Sequence, residues 1–226
     1  MPQAHPPLPP IALIDGFLDD EDRTALLTWV LTHRESFGPA TVSQEGKIVV
    51  QPDSRRALTT RDFGGDLGWL HDRFSGVQQH LLETLRLTVP PVESLELELA
   101  AHGDGAHFAP HVDIPVGIGR KPLGGRPGRT DDRLLSAVYY FHAEPKGFEA
   151  GNLRFYPLGA NPKNAAGEAT QYLDVEPKQN RLVGFPSWAT HEVQTIRCPS
   201  GDFRDYRFAI NCWFCGQFGT SRHGSW

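Results

Sequence analysis

The sequence predicts a mainly β protein braced by helices (α+β), its strands rolled into a double-stranded β-helix, or jelly-roll, barrel. Three observations lead there. From Ser94 the apolar period is two: Leu95, Leu97 and Leu99 alternate with Glu96, Glu98 and Ala100, as on a half-buried strand. Short β-prone runs follow at about 134–142, 151–156, 170–175, 181–185, 190–196 and 205–215, separated by Gly, Pro and Asn. Ahead of them, two segments carry apolar residues at helical spacing. Two helices before about eight short strands fit a barrel with helices laid against it.

Taken in order, residues 1–10 are proline-rich and read as a flexible tail, since proline removes donors and fixes φ. Ile11–Ile14 is a short apolar strand. Asp19-Asp20-Glu21-Asp22 opens a helix, its acidic first turn complementing the dipole, and Leu26, Leu27, Val30 and Leu31 form its buried face. Residues 40–65 mix β-prone stretches with Gly46, Pro52 and Gly64-Gly65, a hairpin and loops. Asp66 starts a second helix running to about Leu87 with Leu70, Phe74, Val77, Leu81, Leu82 and Leu85 inward, and Pro90-Pro91 stops it. His102-Gly103-Asp104-Gly105 is a turn leading into the strand that carries His111. Two loop insertions stand out, a Gly/Arg-rich one at 114–133 and a Gly/Ala/Asn-rich one at 158–169. The expected organisation is one domain: the tail, a helical and strand support over 11–93, and the barrel proper over 94–216.

Composition narrows the function classes. A net charge of −5 and a pI near 6.0 leave no basic excess for holding nucleic acid. No apolar run approaches the roughly 20 residues of a membrane span, and the start lacks a signal-peptide pattern. Three cysteines occur; Cys212 and Cys215 have the CxxC spacing, but a second pair for a zinc site is missing, so reduced cysteines in a cytoplasmic protein are expected.

The chemistry concentrates in three stretches. His111 and Asp113 are spaced i, i+2, which on an extended strand puts both on one face. His191 lies downstream in another β-rich run. Two histidines and one carboxylate on one side of a metal form the facial triad of non-heme Fe(II) oxygenases, with positions left open. Arg207 offers a planar, permanently charged fork for a carboxylate. Parity along its strand places Ala209, Asn211 and Trp213 inside with it, and Phe208, Ile210, Cys212 and Phe214 outside. The same logic puts Tyr140 inward with Ser136 and Val138. His102 and His107 are secondary candidates for lining the site.

The ordered set His-x-Asp, distal His, then Arg-x-Ala-Ile-x-x-Trp resembles the 2-oxoglutarate/Fe(II)-dependent dioxygenases, within them the prolyl 4-hydroxylase-like branch. The resemblance covers roughly residues 95–215 and includes Tyr139-Tyr140, Gly151-Asn152-Leu153-Arg154-Phe155-Tyr156-Pro157, Val175-Glu176-Pro177-Lys178 and Asn180-Arg181-Leu182-Val183. It implies a cupin-like jelly roll in which His111, Asp113 and His191 bind Fe(II), with Arg207 as a fourth catalytic residue. It also implies 2-oxoglutarate as cosubstrate, held by Arg207 and Tyr140 with Asn211 and Trp213 beside it, dioxygen as oxidant, and ascorbate as a further candidate. The implied reaction is hydroxylation of an unactivated C–H bond, with a prolyl residue or an amino-acid-like molecule as candidate substrate and release of succinate and CO2. The partner is then a small-molecule or peptidyl substrate, not nucleic acid or membrane. In the family, residues 40–65 lie near the mouth, which makes Arg55, Arg56 and Arg61 possible substrate contacts, and segment 114–133 reads as a mobile lid favouring acidic substrates. Departures exist: Arg207 follows His191 by 16 positions (207 − 191), and Ala101 and His102 stand where the family has a second tyrosine. Trp213 occupies the place where alkylation-repair relatives carry a second arginine, which argues against nucleic-acid repair. Alternatives are a cupin-like metal enzyme that does not use 2-oxoglutarate and a non-catalytic metal-binding or sensor domain.

Overall fold

The computed structural model describes residues 6–44, 47–114, 132–161, 164 and 171–217. The chain begins with strand β1 (Ala12–Asp15), helix α1 (Asp20–Thr32), and short strands β2 (Gly38–Pro39), β3 (Val42–Gln44), β4 (Lys47–Val49), β5 (Arg55–Arg56) and β6 (Leu58–Thr60). Helix α2 (Trp69–Leu85) precedes two long strands flanking a short one, β7 (Ser94–His102), β8 (His107–His111) and β9 (Asp132–Phe141). The remainder is β10 (Glu149–Ala150), β11 (Leu153–Phe155), β12 (Leu173–Val175), β13 (Arg181–Pro186), β14 (His191–Val193), β15 (Ile196–Arg197) and β16 (Arg207–Gly216). The seven-stranded major sheet has the order β1-β13-β9-β16-β7-β6-β2, and the five-stranded minor sheet β12-β11-β14-β8-β5. The paired strands run antiparallel. The expected jelly-roll architecture is present, with one correction: the sheets do not close into a barrel. Among the described residues their hydrogen-bonded ladders end at short edge strands, β2 and β5 of two residues each and β12 of three.

Both helices lie on the outer face of the major sheet. Asp19 caps α1 by accepting from the Asp22 N–H at 2.9 Å, as its acidic start predicts. Leu26, Val30 and Trp29 are its buried residues, while Leu27 and Leu31 pack at the edge. Helix α2 starts three residues later than expected. Residues 64–68 form turns, and Gly68 precedes the helix without a side-chain cap. It ends at Arg86 in the left-handed region (φ 52°), where the Leu87 N–H returns to the Leu82 carbonyl at 3.0 Å. Leu70, Phe74, Leu81 and Leu85 of α2 join Leu97, Leu99, Ala137, Tyr139, Phe208, Ile210, Cys212 and Phe214 in the large core. Gly184 of β13 permits this approach, since a Cβ there would lie 2.7 Å from Leu81 Cδ2.

The inner rows of the same strands face the minor sheet. Val138, Tyr140, Val183, Phe185 and Ala209 pack with Leu153, Phe155, Val175 and Ala189 in a second core. Alternation along β16 is therefore as read from the sequence, with Phe208, Ile210, Cys212 and Phe214 toward the helices and Ala209 toward the cavity. One part of that reading changes. The polar row of β7 points into the fold rather than to solvent: Glu96 and Glu98 are 8% and 4% exposed. Arginines make that burial tolerable, as described below. Asn180 ties the support to the sheets: its side chain accepts from the Leu18 N–H and Tyr139 hydroxyl and donates to the Leu18 carbonyl.

In the proline-rich start, the Pro7 carbonyl accepts from the Leu158 N–H at 2.8 Å and the Pro6 carbonyl from Gln171. Residues 115–131, and 162–163 with 165–170, lie outside the described residues, so most of both predicted loop insertions, the lid among them, does too. Cys198, Cys212 and Cys215 are buried. Among the described residues, no helix is long and apolar enough to cross a membrane.

Candidate active site

Strand pairing brings the distal histidine to the His-x-Asp stretch. His191, first residue of β14, sits opposite His111, last residue of β8. Asp113 follows β8, its N–H donating to the Ser187 carbonyl at 2.9 Å in the turn before β14. One side-chain ligand atom from each of His111, Asp113 and His191 falls within 4.8 Å of the others. His111 Nε2 lies 3.8 Å from Asp113 Oδ1, and His191 Nε2 4.0 Å from Asp113 Oδ2.

The backbone selects the tautomer of both rings. His111 Nδ1 lies 2.9 Å from the Ala109 carbonyl, and His191 Nδ1 2.9 Å from the Ala189 carbonyl. A carbonyl only accepts, so each Nδ1 carries the proton and each Nε2 presents a lone pair to the common centre. Ring packing fixes their planes: Phe108 stacks on His111 at 3.6 Å and 17°, and Phe185 meets His191 edge-on at 4.7 Å. Burial, then the neighbouring His191, holds the His111 pKa down to about 3 against the opposing pull of Asp113, so the ring stays neutral. Burial alone would raise the Asp113 carboxyl; His191, His111, Arg133 and the Ser136 hydroxyl outweigh it and keep it low. Ser136 Oγ donates to Asp113 Oδ2 at 2.6 Å and contacts Ser187 Oγ at 2.8 Å, which orients the carboxylate. Three acceptors converging on one point, each with its outer shell satisfied, fit a divalent metal.

Arg207 lies on β16 of the major sheet, 1% exposed, and among the described residues its Nε and Nη1 lack any hydrogen-bond partner. Its guanidinium carbon sits 5.0 Å from the Tyr140 ring centroid, and the Tyr140 hydroxyl is likewise unpartnered. Burial lowers the Arg207 pKa against the opposing effect of Tyr140, and raises that of Tyr140 against the pull of Arg207. A buried cation without a counter-ion is costly, and a carboxylate ligand would remove that cost. The donors present therefore fit the acid end of an oxo acid. Register sets the order along the cavity. Ser136 pairs across from Trp213 at the metal end, and Tyr140 from Ala209 beside Arg207.

The other predicted residues divide. Asn211 and Trp213 share the inner face, but their described partners are protein groups. Asn211 donates to Glu98 at 3.4 Å, and Trp213 lies between Arg133 (3.5 Å) and Arg61 (5.6 Å). Arg55 and Arg61, expected as loop contacts, grip the buried Glu98: Arg55 Nη2 at 2.5 Å from Oε1, Arg61 Nη2 at 3.0 Å from Oε2. Arg133 pairs with Glu96 at 3.1 Å and reaches to 3.9 Å from Asp113. His107 turns away, its ring nitrogens near the Gly105 and Asp53 carbonyls. A bulge explains this. Val193 pairs with Phe108 while His191 pairs with His111, two steps on β14 against three on β8. The extra residue flips parity, bringing Phe108 onto the face of His111 and sending His107 off it. Pro110 was the one sequence sign of it.

Comparison with known proteins agrees. The model of the 2OG-Fe(II) oxygenase superfamily matches residues 97–215. An uncharacterised PKHD-type hydroxylase of Synechocystis sp. is 26% identical over 200 residues, 88% of this chain; the chain spans 61% of that relative's length. Among solved structures, a Pseudomonas putida prolyl-4-hydroxylase superposes with TM-score 0.61 at 22% identity, covering 91% of this chain and 92% of that one. A Trichoplax adhaerens prolyl hydroxylase, solved with a peptide fragment of the hypoxia inducible factor oxygen degradation domain, gives 0.63 at 18% identity, covering 91% and 83%. These two likenesses concern the fold. With the family match spanning more than half of its length, the chain belongs to the 2OG-Fe(II) oxygenase superfamily.

Proposed function

We propose that this chain is a 2-oxoglutarate-dependent Fe(II) dioxygenase that hydroxylates an unactivated C–H bond of a prolyl residue or amino-acid-like substrate. The observation that carries the reading is the buried Arg207 guanidinium, whose Nε and Nη1 lack a hydrogen-bond partner among the described residues, in the same fold as the clustered triad. His111, Asp113 and His191 would hold Fe(II); Arg207 and Tyr140 would bind the distal carboxylate of 2-oxoglutarate. Bound together, Fe(II), 2-oxoglutarate and dioxygen supply the oxidising chemistry, with succinate and CO2 as coproducts.

The chain contributes placement and exclusion of water. The two histidines offer only Nε2, and Ser136 keeps Asp113 turned inward. Because a carboxylate occupies the third protein position, a halide lacks the place it would take, and hydroxylation is favoured over halogenation. The inner cluster of Val138, Leu153, Phe155, Val183 and Phe185 packs an apolar core between the sheets, beside His191. Asn211 and Trp213 are assigned to the wall beside the cosubstrate, held there by Glu98 and the two arginines. Substrate class rests on the relatives, two solved prolyl hydroxylases, one of them with a bound peptide. A cytoplasmic setting and a need for ascorbate belong to the same proposal; Cys198 and Cys212, buried thiols outside any disulfide, accord with a reducing compartment.

Succinate release, screened over prolyl peptides and free amino acids, tests the reading; release uncoupled from every such substrate would reject the substrate class. Arg207→Lys keeps the charge but loses the fork, so 2-oxoglutarate affinity is expected to fall by about 1–3 kcal/mol with iron affinity unchanged. Anaerobic calorimetry reads both; a drop in iron affinity alone would assign Arg207 elsewhere. Ser136→Ala frees Asp113 Oδ2 and is expected to weaken Fe(II) binding about 10–100-fold, the usual cost of losing a group that orients a ligand. Equal iron affinity in that variant would show the carboxylate to be oriented by other contacts.

A further inference from the structure

His102 is the last residue of β7, directly opposite Arg207 in the β7–β16 register. Directly paired residues of an antiparallel ladder project to one face with Cβ atoms about 4.5–5.5 Å apart, so the imidazole enters the cavity beside the guanidinium. It is 4% exposed, and among the described residues its buried Nδ1 has no hydrogen-bond partner within bonding geometry. The neighbouring inward position on β16 is Ala209, a small residue paired with Ala100. Burial, then the cations Arg207 and Arg55, push its pKa well below the usual histidine value against the weaker pull of the Arg207 backbone carbonyl, so the ring is neutral and carries one N–H. Three polar side chains with buried, unpartnered atoms thus share one end of the inner face: Arg207, Tyr140 and His102. The first two have a role in the reading above; the third does not. A histidine kept for packing alone would leave Nδ1 desolvated at a cost that an apolar ring of similar size avoids.

We infer that His102 is a third donor to the acid cosubstrate, its imidazole N–H completing the hydrogen bonds that Arg207 and Tyr140 make to a carboxylate. This rests on the proposal that 2-oxoglutarate seats against Arg207. A carboxylate has about four lone-pair directions, more than one guanidinium edge and one hydroxyl fill.

The test uses the full chain loaded with Fe(II) without oxygen, titrated with 2-oxoglutarate in a calorimeter, together with melting of the ligand-free protein. His102→Phe is expected to weaken 2-oxoglutarate about tenfold, the low end for a hydrogen bond to a charged group, with iron affinity and ligand-free melting temperature unchanged or raised. His102→Gln retains a donor and is expected to bind within about threefold of wild type. Wild-type affinity in His102→Phe overturns the inference, as does equal weakening in both variants, or a destabilised ligand-free His102→Phe that still binds normally. Arg207→Lys separates the two readings. If it weakens binding and His102→Phe does not, the inference alone fails; if neither does, the seat of the cosubstrate is wrong.

Discussion

Alanine in place of His191, or of His111, is expected to bring turnover to background while the two-sheet fold persists. Each ring presents one lone pair to a centre shared with Asp113, and the large core lies on the opposite face of the major sheet. Removing one ligand leaves two, too few to hold an open-sited ferrous ion against water. Iron titration and succinate release would be read beside near-ultraviolet circular dichroism. Turnover retained in both variants sinks the triad. A collapse of the dichroism signal would instead assign the ring contacts, His191 with Phe185 and His111 with Phe108, to the stability of the fold.

The second large effect concerns Glu98, which the sequence does not mark as special. Its carboxylate is buried between Arg55 and Arg61, with Asn211 adding a donor. Glu98→Ala strands the buried Arg55, and breaking such a pair from one side costs about 3–5 kcal/mol. For a chain of this length that is a fall of roughly 6–20 °C in melting temperature. Burial raises the carboxyl's pKa, but Arg55 and Arg61 outweigh it and the net shift is downward from the ordinary 4.5. The linkage sign follows: the stabilisation is complete above the ordinary value and is lost as pH falls through the lower folded one. Wild type should therefore lose stability below about pH 4 more steeply than Glu98→Gln. Melting of Glu98→Ala within 2 °C of wild type, or parallel acid profiles, would show that the network contributes little.

How much of this was legible in the sequence depends on the kind of signal. Periodicity along β7, β9 and β16 gave both strand and face, because inner and outer rows differ sharply in polarity and one row packs on helices. The His111, Asp113, His191 and Arg207 set was readable because coordination chemistry constrains residue type, order and parity together. Alternation alone could not say whether the glutamates of β7 faced water or the interior of a folded pair of sheets; only the arginines opposite decide that, and two of them come from distant β5 and from the residue after β6. Parity failed at β8 because a bulge adds one residue, so Phe108 gained a role and His107 lost one. The sequence starts the second helix at Asp66, but the glycines around it form turns and the helix waits for Trp69. Ser136 and Ser187 matter through a pairing across 51 positions that local pattern does not carry.

The two faces of β16 bear on how such a protein can diverge. Phe208, Ile210, Cys212 and Phe214 belong to the helix-backed core, while the residues between them address the cavity. Successive letters of one strand therefore answer to different selection. With Arg207 kept for the cosubstrate, a lineage can exchange the other cavity-facing letters and so change what the pocket admits. The helix-facing letters meanwhile drift only among apolar side chains of similar volume. New specificity in such a scaffold needs no new loop; it can be written into every second residue of a strand that is already there.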